Sequence, residues 1–408
     1  MKRKCDVCKR KLAGPILSLG TQPLCDDLHS INSNKKTKLY KIELKLCKNC
    51  LTVNQLHKVD QQILFPKKYN YRASLTVDVQ KGMKDLCTKA NKLIKKKKKT
   101  VLDIGCNDGS LLNFFKKQNF KTYGIEPTNA FKDCSKNHVI YNQYLNETIV
   151  KKILKKNKHI DIVTFTNVFA HIPNFNQLIK SLKILTSKIS YLIIENHYLG
   201  SVLEKNQFDT FYQEHPRTYS LNSFVKVSKL LNLNIQKVEF PKRYGGNIRV
   251  YMSKNKLKKN RKLELLLKKE KKFISMFSKL KKKMILWSQN KTKLFQNLKE
   301  KKTTIFGKAF PGRASILINI LGLDSDYIKC IFEQNKSPKN FHYVPGTKIP
   351  ILPDREMKNI LKKNKNAILI NFSWHISHEI RKYLKKLGIK NTIIDIVEKN
   401  DFKKNKIF

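Results

Sequence analysis

Arginine is scarce in this chain, with ten among 85 basic residues. Acidic residues number only 30, so the formal charge reaches +55, a balance that ordinarily points to nucleic acid or an anionic membrane. Readers of base edges lean on the bidentate fork of Arg, whereas here the charge is nearly all Lys and is spread over the whole length. That argues against a specific nucleic-acid partner and leaves weak, salt-dependent attraction. Glycine is also low, at 14, while Lys, Asn and Ile are abundant together, a drift of the whole composition rather than a binding patch. There is no apolar run near the roughly 18 residues a membrane span requires. Met1 to Lys11 is basic with no apolar segment behind it, unlike a secretory signal. Nine cysteines, four of them in two close pairs, fit a reducing cytoplasm better than a disulfide scaffold. With 408 residues and 40% hydrophobic content, two or three globular domains are expected.

Those four paired thiols are the first chemistry in the chain. Cys5-x-x-Cys8 and Cys47-x-x-Cys50 each offer two thiolates on one turn, and together they complete an all-thiolate tetrahedron for Zn2+. With no open position, such a zinc is structural. Cys25, Cys87, Cys106, Cys134 and Cys330 lack paired spacing and read as ordinary thiols. An aromatic-rich segment, Leu64 to Ser74, leads into a helix from about Val77 to Leu93, and Lys95 to Lys99 reads as a solvated loop.

Thr100 begins the most legible unit. Val101 to Ile104 is a short apolar strand, Gly105-Cys106-Asn107-Asp108-Gly109 a tight turn, and Ser110 to Gln118 a helix. A second strand, Lys121 to Ile125, ends in Glu126. Strand, glycine turn, helix, strand and acid together describe a nucleoside site at the carboxyl edge of a parallel sheet, with Glu126 on the ribose hydroxyls. The turn lacks the full G-x-G-x-x-G of a dinucleotide site, and Asp103 ahead of the first glycine suits a cationic or amine-bearing ligand. Both points favour S-adenosylmethionine over NAD. Ile160 to Phe165 is a further strand leading into Thr166-Asn167-Val168-Phe169-Ala170-His171-Ile172-Pro173, which places Asn167 and His171 at the same edge. Tyr191 to Glu195 follows as another strand.

Tyr212-Gln213-Glu214-His215 packs a phenol, a carboxylate and an imidazole into four positions. A carboxylate beside a His can hold it as a general base near neutral pH. Beyond it, Asn234 to Phe240 and Ile248 to Met252 read as strands joined through Tyr244-Gly245-Gly246-Asn247, an antiparallel edge to the sheet. Lys254 to about Lys301 reads as a Lys-rich, solvated linker helix. A second, smaller α/β unit starts at Thr303, with a strand, the basic loop Lys308 to Arg313, a helix, a strand ending in Glu333, and a further strand at Ala367 to Phe372.

In order, the two Cys-x-x-Cys pairs, D-I-G-x-N-D-G, N-V-F-A-H-I-P, N-Q-F-D-T-x-Y-x-E-H, G-G-N-x-R-V-Y and P-G-T-x-I-P-I strongly resemble the sugar C-methyltransferases, from Cys5 to about Ile393. The resemblance implies an α/β protein in three parts. A zinc-binding domain (1–65) precedes a class I, Rossmann-like methyltransferase domain (66–253). A linker helix (254–301) then leads to a C-terminal Rossmann-like domain (302–408). The cofactor implied is S-adenosylmethionine, and the partner a nucleotide-linked 4-keto-deoxysugar lying between the last two domains.

The catalytic motif of the family falls on Tyr212, Glu214 and His215, and its site-lining Tyr and His on Tyr71 (Tyr69 less so) and His171. The substrate diphosphate needs cations, for which Arg249, Lys308 and Arg313 are candidates, with Asn247 beside them. Gln213 stands where members carry another His, Pro216-Arg217-Thr218 replaces a more apolar stretch, and Gly307 to Ser315 departs from a glycine-alanine-lysine pattern. Glu333 stands for a usual Asp. The last three departures are expected at substrate contacts.

The expected chemistry is removal of the proton at C3, beside the C4 ketone, by His215, with Glu214 orienting the ring. Tyr212, or His171 as a donor, would stabilise the oxyanion. Rival readings are an O-methyltransferase on a sugar hydroxyl and an RNA methyltransferase gripping nucleic acid with the zinc module and the Lys-rich helix. The intact Tyr212, Glu214 and His215 argue against a non-catalytic scaffold.

Overall fold

The computed structural model describes residues 3–256 and 260–403. Two compact units are present. The first holds the residues up to Pro15, Lys45–Val202 and Glu214–Ile274; the second holds Ile16–Leu44, Leu203–Gln213 and the chain from Ser275 onward. The stretch expected as a zinc-binding domain therefore divides. Its thiol pairs lie in the first unit and the hairpin between them in the second.

The first unit is built on a seven-stranded sheet of β1 (Lys99–Ile104), β2 (Phe120–Ile125), β3 (Val139–Tyr141), β4 (Ile160–Thr166), β5 (Ile189–His197), β6 (Asn234–Glu239) and β7 (Asn247–Ser253). Their order is β3-β2-β1-β4-β5-β7-β6. The first five run parallel, and β7 is antiparallel to both β5 and β6. The antiparallel edge expected around the Gly-Gly turn is thus real. The short strands are almost continuously apolar because both faces are covered. Alternate side chains feed two separate cores. Leu102 and Ile104 of β1 join one with Phe165, Ile194 and Phe224, while Val101 joins another with Ile162, Ile193, Leu111 and Phe115. Cys5, Cys47 and Cys50 belong to the first of these cores, which seats the thiol knuckles on the sheet domain.

The second unit carries a smaller, all-parallel sheet of β8 (Ile305–Lys308), β9 (Ile331–Glu333), β10 (Ile351–Pro353), β11 (Ile368–Asn371) and β12 (Ile393–Asp395), in the order β10-β9-β8-β11-β12. Phe306, Phe332, Leu369, Met357 and Leu384 make its core.

The solvated linker helix is corrected here. A helix does run over Phe273–Glu300, but Phe277, Leu280, Trp287 and Phe295 are almost wholly buried. Trp287 packs on Phe208 with ring centroids 4.9 Å apart and donates its indole N–H to the Ile396 carbonyl (2.8 Å). Each such ring contributes about 1.5–3 kcal/mol on burial, so this helix is core, not spacer. Lys291, only 2% exposed, is held by the Asp395 carbonyl (2.9 Å), Glu398 and Asp401 (3.2 Å each). The first part of the expected helix includes residues 257–259, which lie outside the described residues. No helix among the described residues is long and apolar enough to cross a membrane.

Candidate active site

At the carboxyl end of β1 the chain must reverse into the next helix, and two glycines allow it. Gly105 (φ +69) and Gly109 (φ +74) sit in the left-handed region, with Asn107 (φ 52) between them. A Cβ on Gly105 would stand 2.6 Å from Val168 Cγ2. The turn is stiffened from two sides. Asn107 N–H donates to Glu126 Oε2 (2.9 Å), whose other oxygen accepts from Thr128 N–H (2.9 Å) and Oγ1 (2.6 Å). Asn107 Oδ1 accepts from Ala73 N–H (2.9 Å) and its Nδ2 donates to the Tyr71 carbonyl (3.1 Å), while Asp108 accepts from Ser74 N–H (2.8 Å) and Ser110 Oγ (2.6 Å). These bonds draw the Tyr71 segment onto the turn. Glu126 keeps about one lone pair open toward a ribose hydroxyl, since a carboxylate offers about four and three are taken. Asp103 lies behind the turn, accepting from Thr164 Oγ1 (2.6 Å), and burial pushes its carboxyl up to about 7, with the Glu126 charge adding to the rise. A half-ionised acid beside a glycine turn, and a second acid at the next strand end, fit a nucleoside that also carries an amine.

Along the same sheet edge, aromatic rings and imidazoles form a continuous group. His171 follows β4, and its Nδ1–H donates to the Glu214 carbonyl (2.8 Å); the Glu214 carboxylate lies 3.9 Å from the same nitrogen. Burial pushes the His171 ring down to about 4, so it is neutral with Nε2 as its acceptor. The His171 and His215 rings are 4.8 Å apart, centre to centre, and His215 and His197 are 5.1 Å apart. His197 ends β5 and stands 5.7 Å from the ring of Tyr244, whose hydroxyl is 3.1 Å from that of Tyr71. Phe65 closes the other side, edge-on to His171 at 5.3 Å. The sequence singled out His171, His215 and Tyr71; it missed His197 and Tyr244. The signal for His197 was its place, the last residue of a buried strand at the ligand edge. Tyr212 and Gln213 end a stretch of the second unit, whereas Glu214 and His215 open one of the first.

Two of the three cations expected on the diphosphate are already spent. Arg249 is wholly buried, with Nε 2.7 Å from Glu195 and Nη1 2.9 Å from Asp85. Lys308 is buried with its ammonium 2.6 and 2.8 Å from the two oxygens of Asp354. Releasing either would strand a buried carboxylate, so both are structural. Arg313 pairs with Asp209 (3.2 Å) and donates to Gln207 and Thr210, but its buried Nη2 has no hydrogen-bond partner among the described residues. Asn247 donates to Glu195 (2.9 Å) and to Asn167 (3.1 Å), tying both asparagines to one carboxylate. Burial alone would push the pKa of Glu195 up, but Arg243 and Arg249 outweigh it and hold the carboxyl below its ordinary range.

The expected substrate contact at Pro216-Arg217-Thr218 is also corrected. Arg217 is buried, paired with Asp6 (2.8 Å), and donates to Tyr219 Oη (2.9 Å) and to the Ile172 and Pro173 carbonyls. It fastens the His171 turn to the first thiol knuckle. Gln213 likewise straps the Gln22 and Pro23 carbonyls (3.0 and 3.1 Å) within the second unit.

The four paired thiols converge with all Sγ atoms within 4.8 Å of one another, Cys5 to Cys50 at 3.6 Å and Cys8 to Cys47 at 3.5 Å. Ligands about 2.3 Å from a tetrahedral zinc stand nearly that far apart, so the set fits a structural Zn2+. The Cys50 carbonyl accepts from Ser220 and Ser223 (3.3 and 3.2 Å) at the start of the Leu221–Leu230 helix, which joins the metal site to the sheet domain.

Three family models match in tandem. They are described as "Putative zinc binding domain" (residues 5–65), "Methyltransferase domain" (78–238) and "C-methyltransferase C-terminal domain" (242–393). The C-methyltransferase NovU of Streptomyces niveus is 24% identical over 254 residues, a stretch covering 61% of this chain and 60% of NovU. Among solved structures, the plantazolicin methyltransferase BpumL is 14% identical with a TM-score of 0.35, covering 44% of this chain and 86% of that one. Magnesium protoporphyrin IX methyltransferase from Synechocystis PCC 6803 is 13% identical with a TM-score of 0.34, covering 44% and 81%. Those three matched domains follow one another along a single chain, from residue 5 to residue 393, and the chain spans about three-fifths of the length of NovU.

Proposed function

We propose that the protein transfers a methyl group from S-adenosylmethionine to a ring carbon, C3, of a nucleotide-linked 4-keto-deoxysugar in the cytoplasm. The observation that carries this reading is His215, buried at the ligand edge between two further imidazoles. Carbon is a poor nucleophile until a proton is lost, and a ketone next to it makes that loss feasible. His215 takes the C3 proton, and the electron pair moves into the enolate. The bound cofactor supplies an electrophilic methyl at sulfonium.

The roles of the neighbours follow from their bonds. Glu214 fixes the His171 tautomer through its carbonyl, and the His171 N–H is thereby used up, so His171 does not serve as donor to the oxyanion. That role rests with the phenol of Tyr212. Gly105, Asn107, Asp108 and Gly109 shape the cofactor turn, with Asp103 toward the amine and Glu126 toward the ribose; Asn167 borders it through Asn247. Tyr71 covers the turn. Of the cations, Arg313 keeps the assignment to the diphosphate, supported by its unpartnered Nη2. Zinc on Cys5, Cys8, Cys47 and Cys50 is structural and takes no part in the chemistry.

The test is to incubate the protein with S-adenosylmethionine and a panel of 4-keto-6-deoxy nucleotide sugars, following products by mass and NMR. A methyl resonance on a quaternary or aliphatic sugar carbon is expected. A methoxy resonance instead would make the protein an O-methyltransferase, and methylated RNA without sugar product would overturn the reading.

A further inference from the structure

Transfer of a methyl group to an enolate leaves one proton behind. The C3–H bond breaks, its electron pair makes the new carbon–carbon bond, the sulfur–methyl bond breaks, and the cofactor departs as a neutral thioether. The cation's charge survives as the proton on His215, which must reach water before the next turnover. His215 is 4% exposed, so it cannot shed that proton directly.

Two imidazoles flank it. On one side, His171 already donates its N–H to the Glu214 carbonyl, and desolvation disfavours a second proton there. On the other side stands His197, 5.1 Å from the His215 ring, a separation that fits a nitrogen-to-nitrogen hydrogen bond, direct or through one water. Beyond His197 lies the Tyr244 ring at 5.7 Å, and the Tyr244 hydroxyl is 3.1 Å from that of Tyr71. Tyr71 is 39% exposed, whereas His215 is buried. The string therefore runs from the buried base to the solvent. Its middle phenol is held by unusual means: Tyr244 adopts φ 53, a left-handed conformation that residues with a Cβ rarely take, and so presents its ring to the group.

We infer that His197, with Tyr244 and Tyr71 outside it, forms a proton relay that empties His215 after each turnover. His197 is thus a positioning residue acting through the base, not a group that touches the substrate. When His215 accepts the C3 proton on one ring nitrogen, it releases the proton of its other nitrogen to His197. The imidazolium at His197 passes its far proton outward, and each phenol accepts one proton while giving up another. Nothing is oxidised or reduced, and the net product is one proton in water per methyl transferred. The inference rests on the carbon-methylation reading above.

The experiment is carried out in D2O with full-length protein, the keto-sugar substrate and S-adenosylhomocysteine in place of the methyl donor. Deuterium wash-in at C3 reports exchange of the abstracted proton with solvent; methyl transfer is measured separately with S-adenosylmethionine. In His197→Gln, kcat is expected to fall roughly 10–100-fold with KM nearly unchanged. The rate of deuterium wash-in should fall about tenfold further than kcat does, because His215 returns the original proton to carbon before it can exchange. Tyr244→Phe should give the same pattern with smaller size, and added imidazole should restore His197→Ala.

A parallel fall of wash-in and turnover, leaving their ratio at the wild-type value, would reduce His197 to a packing role and overturn the relay. Wild-type rates in both His197→Gln and Tyr244→Phe would do the same. Failure of the wild-type protein to methylate carbon would remove the underlying reading instead, and the two failures are separated by the wild-type product spectrum.

Discussion

Each unit's sheet has a run of parallel strands, and in each a glutamate at the carboxyl end of the second strand grips the loop leaving the first. Glu126 accepts from Asn107 N–H at 2.9 Å; Glu333 accepts from Phe310 N–H at 2.7 Å. The two loops have opposite contents. After β1 the chain turns on left-handed glycines and ends beside a buried Asp103, its pKa raised to about 7, and a row of imidazoles. After β8 it meets Lys308 closed onto Asp354, with the Tyr383 hydroxyl 2.8 Å from that carboxylate and the Lys308 ammonium 5.1 Å from the Tyr383 ring centre. The same topological crevice is thus kept for a ligand in one sheet and filled by an ion pair in the other. A shared sheet design does not carry a shared function; the side chains at the crevice do.

The largest expected effect asks whether chemistry belongs to the first sheet alone. His215→Asn should lower turnover by two to four orders of magnitude, roughly 3–5.5 kcal/mol, while S-adenosylmethionine still binds by calorimetry. Near-normal turnover would remove His215 as the base. Next, Lys308→Ala leaves Asp354 buried without its countercharge and should cost about 3–5 kcal/mol of stability in urea denaturation, with cofactor affinity untouched. A variant as stable as wild type but weak in substrate binding would hand Lys308 back to the ligand.

Paired glycine substitutions sharpen the contrast. Gly105→Ala forces a Cβ into a φ of +69 and within 2.6 Å of Val168, so cofactor affinity should drop about tenfold or more. Gly307→Ala meets Ile331 Cγ1 at 2.7 Å and should instead lower the melting temperature, through about 1–3 kcal/mol of overpacking. Equal effects of the two on cofactor binding would erase the distinction between the crevices.

The smallest effect is a pH dependence. Burial raises Asp103 from an ordinary 3.8 to about 7 in the folded chain. A raised acid binds its proton more tightly when folded, so its contribution to stability is full below about 4 and is lost as pH rises through about 7. A cationic ligand prefers the ionised form. Cofactor binding should therefore release a proton, and affinity should climb several-fold with pH to a plateau above about 7. Calorimetry in buffers of different ionisation enthalpy measures both, and Asp103→Asn should flatten the profile.

Much of this was legible in the chain. The strands of the first sheet announce themselves because a strand covered on both faces must be apolar throughout, and the glycine turn because few residues tolerate its backbone. Other readings went astray for one shared reason. The Phe273–Glu300 helix looked solvated because of its lysines, yet Lys291 is buried against partners more than a hundred residues away. Arg217, expected at the substrate, is bound instead to Asp6, 211 positions earlier in the chain. A cation in a sequence carries no mark of whether its partner is water, a ligand or a distant carboxylate.

The sequence by itself determined the thiol tetrad, the cofactor turn with its two acids, and the identity of His215 as the base to test. Those depend on spacing within a few residues or on contiguous burial, which local chemistry imposes. Only the tertiary structure decided which cations are spent, that the long helix is core, and that His197 and Tyr244 stand in line with His215. The adjacency of β4 and β5 sets His171 and His197 at one edge, although they lie 26 positions apart in the sequence, and the Glu214–His215 turn comes to rest between them. Such neighbourhoods arise from sheet order, which no short-range pattern encodes.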